Sequence, residues 1–321
     1  MASYLFTSKS NFFTISLSLV LLSNIVPAQA ERMCTFPGLA GHYPIKFFYI
    51  YKQLAEVKDA MKDGKPLPKA FKNRLLIYGT PGNGKTTIAR TIAKEAGCHF
   101  VYLHGPEVVN KYVGQGPANI KETFEEAREY SELHNIPVVI AIDEIDAIAA
   151  NTEGEQRAEH KAATQELWTQ LDMMQDDPRL FFMCMTNTDE VNETFKTRLG
   201  NNIVELKAPD TDTRKAVLQF YKQKHTGQSW EPTLLQKLVD NTNNTKISIR
   251  FLQDYVEEIY QLAKHEYNGV ITEKLALETL AQMKAKYIEG WLKWARNKTY
   301  KYGTNVLQTA TSAKILVAGL F

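Results

Sequence analysis

Leu75-Leu76-Ile77-Tyr78-Gly79-Thr80-Pro81-Gly82-Asn83-Gly84-Lys85-Thr86-Thr87-Ile88 is the stretch on which the fold turns. An apolar run from Leu75 to Tyr78 enters a glycine-rich loop, and Ile88, Ile92 and Ala96 then recur at helical spacing. A strand feeding a Gly-x-x-x-x-Gly-Lys-Thr loop that opens a helix is the arrangement that wraps backbone N–H groups around phosphate oxygens. The glycines free the backbone to turn inward, and the helix N-terminus adds partial positive charge. Lys85 is placed to reach the β- and γ-phosphates and Thr86 to ligate Mg²⁺, so Gly79, Thr80, Pro81, Gly82, Asn83, Gly84, Lys85, Thr86 and Thr87 form a candidate site for ATP with Mg²⁺. A decorative glycine-rich turn would not need the strand before it and the helix after it.

Outward from this loop, short apolar runs alternate with helical periods. The further runs are His99 to Leu103, Val138 to Ile142, Leu180 to Met185 and Ile203 to Leu206. Between them lie periods through Ile120, Phe124 and Ala127, and through Leu167, Leu171 and Met174. Strands alternating with helices of this length imply parallel pairing and a sheet covered on both faces. After Pro209 the strand signals stop, and helical periods pass through Val217 and Tyr221, Leu234 and Leu238, Leu252, Val256 and Ile259, and Leu275 to Met283. The expected fold is α/β, a P-loop NTPase with a five-stranded parallel sheet core followed by a small all-helical lid. The expected boundaries are 31–69 for an irregular linker and a leading helix over Tyr49 to Met61, 70–208 for the α/β domain, 209–286 for the lid and 287–321 for a basic, aromatic tail.

The run from Val138 to Ile142 ends in Asp143 and Glu144. A continuous apolar run marks a strand buried on both faces, and α/β folds place their ligands at the C-terminal ends of such strands. Asp143 is therefore a candidate Mg²⁺ ligand, directly or through water, and Glu144 a candidate general base for the attacking water. Two acids at a strand end often only cap the next helix; their place 58 residues after Lys85 favours the chemical role.

With Gly79 to Thr86, Asp143-Glu144-Ile145-Asp146, Met185-Thr186-Asn187 and Arg198 in this order, the stretch from Leu75 to Lys286 resembles the AAA+ ATPases, in particular the AAA clade of ring-forming protein remodellers. The resemblance implies that Asn187 orients the lytic water and that Arg198 projects into the next subunit's site as an arginine finger. It also implies a homo-oligomeric ring, expected to be a hexamer, acting on a protein substrate. Lys111, Tyr112 and Val113, followed by Gly114 and Gly116, stand where the family places a substrate-gripping pore loop; the alternative is an aromatic packed under the loop. Two departures stand out. Asn201 occupies the place of a second arginine found in many members, and Arg250, in Ser248-Ile249-Arg250, resembles a lid arginine that touches the γ-phosphate in other AAA+ groups. A surface helix arginine is the other reading of Arg250.

The remaining features bound the answer. A net charge of +2 singles out no nucleic-acid partner, and Cys34, Cys98 and Cys184 are too few and scattered for a disulfide framework or a metal site. No His-Glu-x-x-His pair occurs, so a zinc protease segment of the kind some relatives carry is absent from this sequence. Lys9, the apolar run from Phe12 to Val26, and Ala28-Gln29-Ala30 fit a signal peptide over residues 1–30, with an N-terminal membrane anchor as the alternative. A secretory signal and a need for ATP pull in opposite directions, so the compartment stays open. Trp291, Trp294, Tyr300 and Tyr302 with Lys293, Arg296, Lys298 and Lys301 suggest a helix packing on the lid rather than a membrane or nucleic-acid surface. Two other classes compete with the ring remodeller. A small P-loop phosphotransferase is disfavoured by Asn187, Arg198 and the lid, and a nucleotide-gated scaffold with little turnover is disfavoured by Glu144.

Overall fold

The computed structural model describes residues 33–302, apart from 37–38, 69–71, 111–114, 150–157, 189–190, 201, 226–228, 232 and 243–246. For 109–110, 158–159, 287–288 and 290–302 it describes the backbone alone. The expected signal or anchor over 1–30, the Lys111-Tyr112-Val113 loop, Asn201 and the tail beyond Tyr302 lie outside the described residues.

A five-stranded parallel sheet forms the centre, in the order β4 (His99–His104), β5 (Val138–Asp143), β6 (Leu180–Thr186), β3 (Arg74–Tyr78) and β7 (Ile203–Glu205). The strands expected from the apolar runs are these five. In β5 and β6 every residue but Asp143 is buried, because helices cover both faces. Side chains alternate between two cores. Leu76, Ile140, Ile142, Phe182 and Cys184 pack with α4 (Gly116–His134) and α6 (Ala158–Met173). Leu75, Ile77, Val139, Ala141, Phe181 and Met183 pack with α1 (Ile45–Lys62) and α2 (Lys85–Ala96). β4 and β7 lie at the edges, and the residues of β4 are only partly covered.

Strand order creates the crevice. The chain leaves β3 toward the β4 side of the sheet but leaves β6 toward β7, crossing β3. Adjacent strands whose outgoing connections diverge leave a cleft beyond their carboxyl ends. The loop Gly79 to Gly84 and the β6 terminus at Asn187 meet there.

Two local features ahead of the sheet differ from expectation. The leading helix was expected over Tyr49 to Met61 but begins at Ile45, directly after Pro44; its buried stripe Phe47, Ile50, Leu54, Val57 and Met61 has the spacing of one helix face. Ahead of it, β1 (Met33–Thr35) pairs antiparallel with β2 (His42–Pro44) where an irregular linker was expected. The pair continues against the helical region through Gly41, φ +105°, whose α-carbon faces Thr213 so closely that a Cβ would stand 2.5 Å from Cγ2.

The helical region contains α8 (Thr211–Lys224), α9 (Leu234–Asn241), α10 (Ile249–Glu266) and α11 (Glu273–Tyr302), around a core that includes Leu218, Leu238, Leu252, Val256 and Ile259. It is helical as expected, with one addition: β8 (Ser229–Trp230) and β9 (Val270–Ile271) form a two-residue parallel pair. Strands that short leave no period in sequence. Their inward residues Trp230 and Ile271 join the helical core, and Trp230 Nε1 donates to the Tyr260 hydroxyl at 2.9 Å. The helix α11 also runs unbroken past residue 286, where the tail was expected to begin.

Candidate functional site

Gly79, Gly82 and Gly84 have φ of +149°, +82° and +87°, conformations that a side chain would strain. At two of them space is short as well. A Cβ on Gly79 would stand 2.2 Å from the Leu206 carbonyl oxygen, and one on Gly82 2.9 Å from Ser248 Oγ. The loop is thus clamped between the end of β7 and the start of α10. Asn83, 1% exposed, ties it further: Nδ2 donates to Thr80 Oγ1 at 2.7 Å and to the Leu206 carbonyl at 3.5 Å. Pro81 and Thr87 are exposed.

Gly84 caps α2 in a left-handed conformation, and Lys85 begins the helix. Its ammonium donates to Gly79 O at 2.7 Å, Thr80 O at 3.2 Å and Asn187 Oδ1 at 2.7 Å. One cation therefore joins the loop to the end of β6. Burial holds the Lys85 pKa below its ordinary value, with Asp143 and Asp146 opposing the shift and Arg250 adding to it. Arg250 lies close enough to be felt by Lys85, and its backbone N–H donates to the Gly82 carbonyl at 3.0 Å. The helix α10 is capped by Ser248, whose hydroxyl accepts from Phe251 N at 3.1 Å, so the cap that starts the helix also sets Arg250 against the loop.

Thr86 Oγ1 donates to Asp143 Oδ2 at 2.6 Å. A hydroxyl and a carboxylate side by side, next to a phosphate-shaped glycine cradle, are the donor set Mg²⁺ takes: few protein oxygens, the rest from phosphate and water. Among the described residues no cluster of three or more His, Cys, Asp or Glu forms a metal cage, and this chemistry needs none. Asp143 Oδ1 accepts from the Glu144 N–H at 3.0 Å. Glu144 itself has φ +52°, left-handed for a residue with a Cβ, at a cost of about 1–2 kcal/mol. The turn aims its half-exposed carboxylate out of the strand end. Asp146, at the start of α5 (Asp146–Ala149), accepts from Thr186 Oγ1 at 2.7 Å.

Arg198 is elsewhere. It ends α7 (Glu193–Arg198), and its carbonyl accepts a hydrogen bond from Arg74 at the start of β3. The loop departs from the other end of β3, about 15 Å away at the rise of a five-residue strand. The structure therefore brings together Lys85, Thr86, Asp143, Glu144, Asn187 and Arg250, and sets Arg198 apart from them.

Residues at the end of β4 were not singled out from sequence. Tyr102 Oη donates to Asp143 Oδ2 at 3.4 Å, and His104 Nε2 lies 3.9 Å from Glu144 Oε2. Gly105 touches the backbone behind Glu144 so tightly that a Cβ would stand 2.4 Å from the Glu144 carbonyl oxygen. Only the pairing of β4 with β5, which sets His104 opposite Asp143, puts them here. His-Gly directly after an apolar run was the one local signal.

Residues 75–205 match the model of the ATPase family associated with various cellular activities (AAA). Over 149 residues the chain is 36% identical to Protein SAV of Sulfolobus acidocaldarius, a match covering 46% of this chain and 18% of that protein. Over 152 residues it is 33% identical to a cell division cycle protein 48 homolog of Archaeoglobus fulgidus, covering 47% of this chain and 20% of that protein. The chain thus spans about a fifth of the length of these curated relatives.

Proposed function

From the premise that this chain belongs, through residues 75–205, to the AAA family of ATPases, we propose that it binds ATP at the crevice between β3 and β6 and hydrolyses it to drive the remodelling of protein substrates in a homo-oligomeric ring, most simply a hexamer. The observation that carries the reading is the meeting of Lys85 with Gly79 and Asn187, and of Thr86 with Asp143, through three contacts of 2.6–2.7 Å around one glycine cradle.

In this mechanism the loop N–H groups and the Lys85 ammonium bind and orient the β- and γ-phosphates, replacing water around the anion with fixed donors. Thr86 and Asp143 would hold Mg²⁺, which when bound neutralises charge on the phosphate oxygens. Glu144 accepts a proton from the water that forms the new bond to the γ-phosphorus, while the β–γ bridging bond breaks to leave ADP and phosphate. Asn187 orients that water, and its bond to Lys85 links the water position to the cation on the phosphates. Arg250 adds positive charge where the lid meets the loop. The distance of Arg198 from its own chain's loop supports its use in trans, on the site of a neighbouring subunit. The Lys111-Tyr112-Val113 loop, with its single aromatic followed by Gly114 and Gly116, would grip an extended polypeptide by apolar area rather than by sequence.

The test is a comparison of two variants. Lys85→Ala should abolish tight ATP binding, because it removes a charge-assisted contact to phosphate. Glu144→Gln should keep ATP binding, lose most phosphate release, and co-purify with a trapped client. Wild-type phosphate release by Glu144→Gln would remove the general base from this account. Tight ATP binding with negligible turnover by the unaltered chain would favour a nucleotide-gated scaffold.

A further inference from the structure

We propose that Trp168 and Asp172 on α6, with Arg74 at the head of β3, form a seat that positions the Arg198 guanidinium for the phosphates bound by a neighbouring copy of the chain. The proposal rests on the trans role of Arg198 given above.

Trp168 and Asp172 are four residues apart on α6 and so share one helix face. The Arg198 guanidinium carbon stands 4.5 Å from the Trp168 ring centroid, and Arg198 Nε is 3.6 Å from Asp172 Oδ2. A planar guanidinium can lie on an aromatic face while its edge remains available, which an ammonium cannot do. Arg74 secures the backbone instead: it is 8% exposed and donates through Nη1 to the Arg198 carbonyl. The ring lies beneath the cation, the carboxylate faces its Nε, and the second arginine fixes the helix end that carries it.

The arrangement is poor as a device for stability alone. Trp168 Nε1 and Arg74 Nη2 are buried and make no hydrogen bond among the described residues, and Arg198 Nε, also buried, meets Asp172 only at ion-pair distance. Leaving buried donors without acceptors is unfavourable, and packed apolar side chains would serve the fold better. Burial holds the Arg74 pKa below its ordinary value, with Asp172 and Asp176 opposing and the Arg198 charge adding, so two guanidinium groups are close enough to repel. Both line an open cleft of about 810 Å³, to which Lys72 adds a third cation and Asp172 and Glu193 bring opposing charge.

The experiment measures kcat and KM for ATP in the full chain for Arg198→Ala, Trp168→Ala, Trp168→Phe and Asp172→Asn, alone and mixed with Lys85→Ala. Trp168→Ala should lower kcat on the order of tenfold, as expected for loss of a partly desolvated cation–π contact. Its KM should stay within about twofold, because its own nucleotide loop is untouched. Trp168→Phe should recover most of the loss. Mixing Trp168→Ala with Lys85→Ala should restore turnover, since the second chain brings an intact seat to the first chain's loop.

If Arg198→Ala keeps wild-type turnover, the trans role fails and the seat with it. If Arg198→Ala loses turnover while Trp168→Ala and Asp172→Asn keep or raise it, the seat alone is overturned. Equal losses in Trp168→Phe and Trp168→Ala would also count against it. Should thermal melting show that Trp168→Ala does not fold, Asp172→Asn carries the test, because this carboxylate is 56% exposed and the change is isosteric. A fall in its kcat of about threefold at constant KM supports the seat, and an unchanged kcat overturns it.

Discussion

At Glu144 a residue with a Cβ sits in left-handed backbone at the end of a buried strand. One side-chain and one backbone contact hold it there: the Asp143 carboxylate accepts its N–H at 3.0 Å, and its carbonyl accepts from Ala147 N at 3.0 Å. Gly105, directly after β4, packs against the same peptide, and the nearest atoms to a Cβ there belong to the main chain of Asp143 and Glu144 rather than to a side chain that could swing away. Gly105→Ala should therefore displace the candidate base without touching the nucleotide loop. The expected result is a drop in kcat of about tenfold to a hundredfold, the scale of a sub-ångström to 1 Å misplacement. Nucleotide affinity, measured by titration with a fluorescent ATP analogue, should change little. A parallel loss of affinity would mean that Gly105 supports the whole crevice rather than Glu144.

Among elements, α8 begins the helical region, and its start is set by Asp210. The Asp210 carboxylate accepts from Thr213 N at 2.8 Å, a side-chain N-cap. Burial raises its pKa, but the bonds from Thr213 and the charges of His42 and Arg214 reverse this and leave the carboxyl below the usual carboxylate range. A depressed folded-state pKa contributes stability that is present above the unfolded value and lost as pH falls through the folded one. Asp210→Ala should cost about 1 kcal/mol at neutral pH, read from urea midpoints. The difference from the unaltered chain should shrink as pH falls below about 4, the unfolded carboxylate value. A difference that persists at low pH would show that packing, not the charged cap, fixes this helix start.

For the molecule as a whole, the nucleotide crevice is closed by chain segments far apart in sequence. Gly79 meets Leu206 and Gly82 meets Ser248 and Arg250, so a movement of α10 would be felt at the loop. In a ring, the proposed Tyr112 loop would move with the subunit's nucleotide state. An aromatic contact contributes roughly 0.5–1.5 kcal/mol beyond area burial, enough to grip a chain and weak enough to release it. Tyr112→Ala should keep basal ATP hydrolysis and assembly but lose substrate-stimulated hydrolysis and unfolding, while Tyr112→Phe keeps both. The measurement is ATPase rate beside loss of structure in a tagged model substrate. Full unfolding by the alanine variant would mean that force does not pass through this loop.

Sequence alone determined the fold class and the glycine loop and acid pair at the centre of the candidate site, because both are written in local pattern. Glycines at three positions of the loop, apolar runs in strands buried on both faces, and an acid pair closing one run each follow from the conformation or solvation of their own segment. What lay beyond local pattern depended on which strand stands beside which. Tyr102, His104 and Gly105 reach Asp143 and Glu144 only because β4 pairs with β5, and Trp168 and Asp172 meet Arg198 only because α6 and α7 cover the same face of the sheet. The pair β8–β9 is held by the burial of Trp230 and Ile271 in the helical core, not by any strand propensity of two residues. Side-chain periods report the face an element buries; they carry no record of its neighbour, which is chosen by packing across the whole chain.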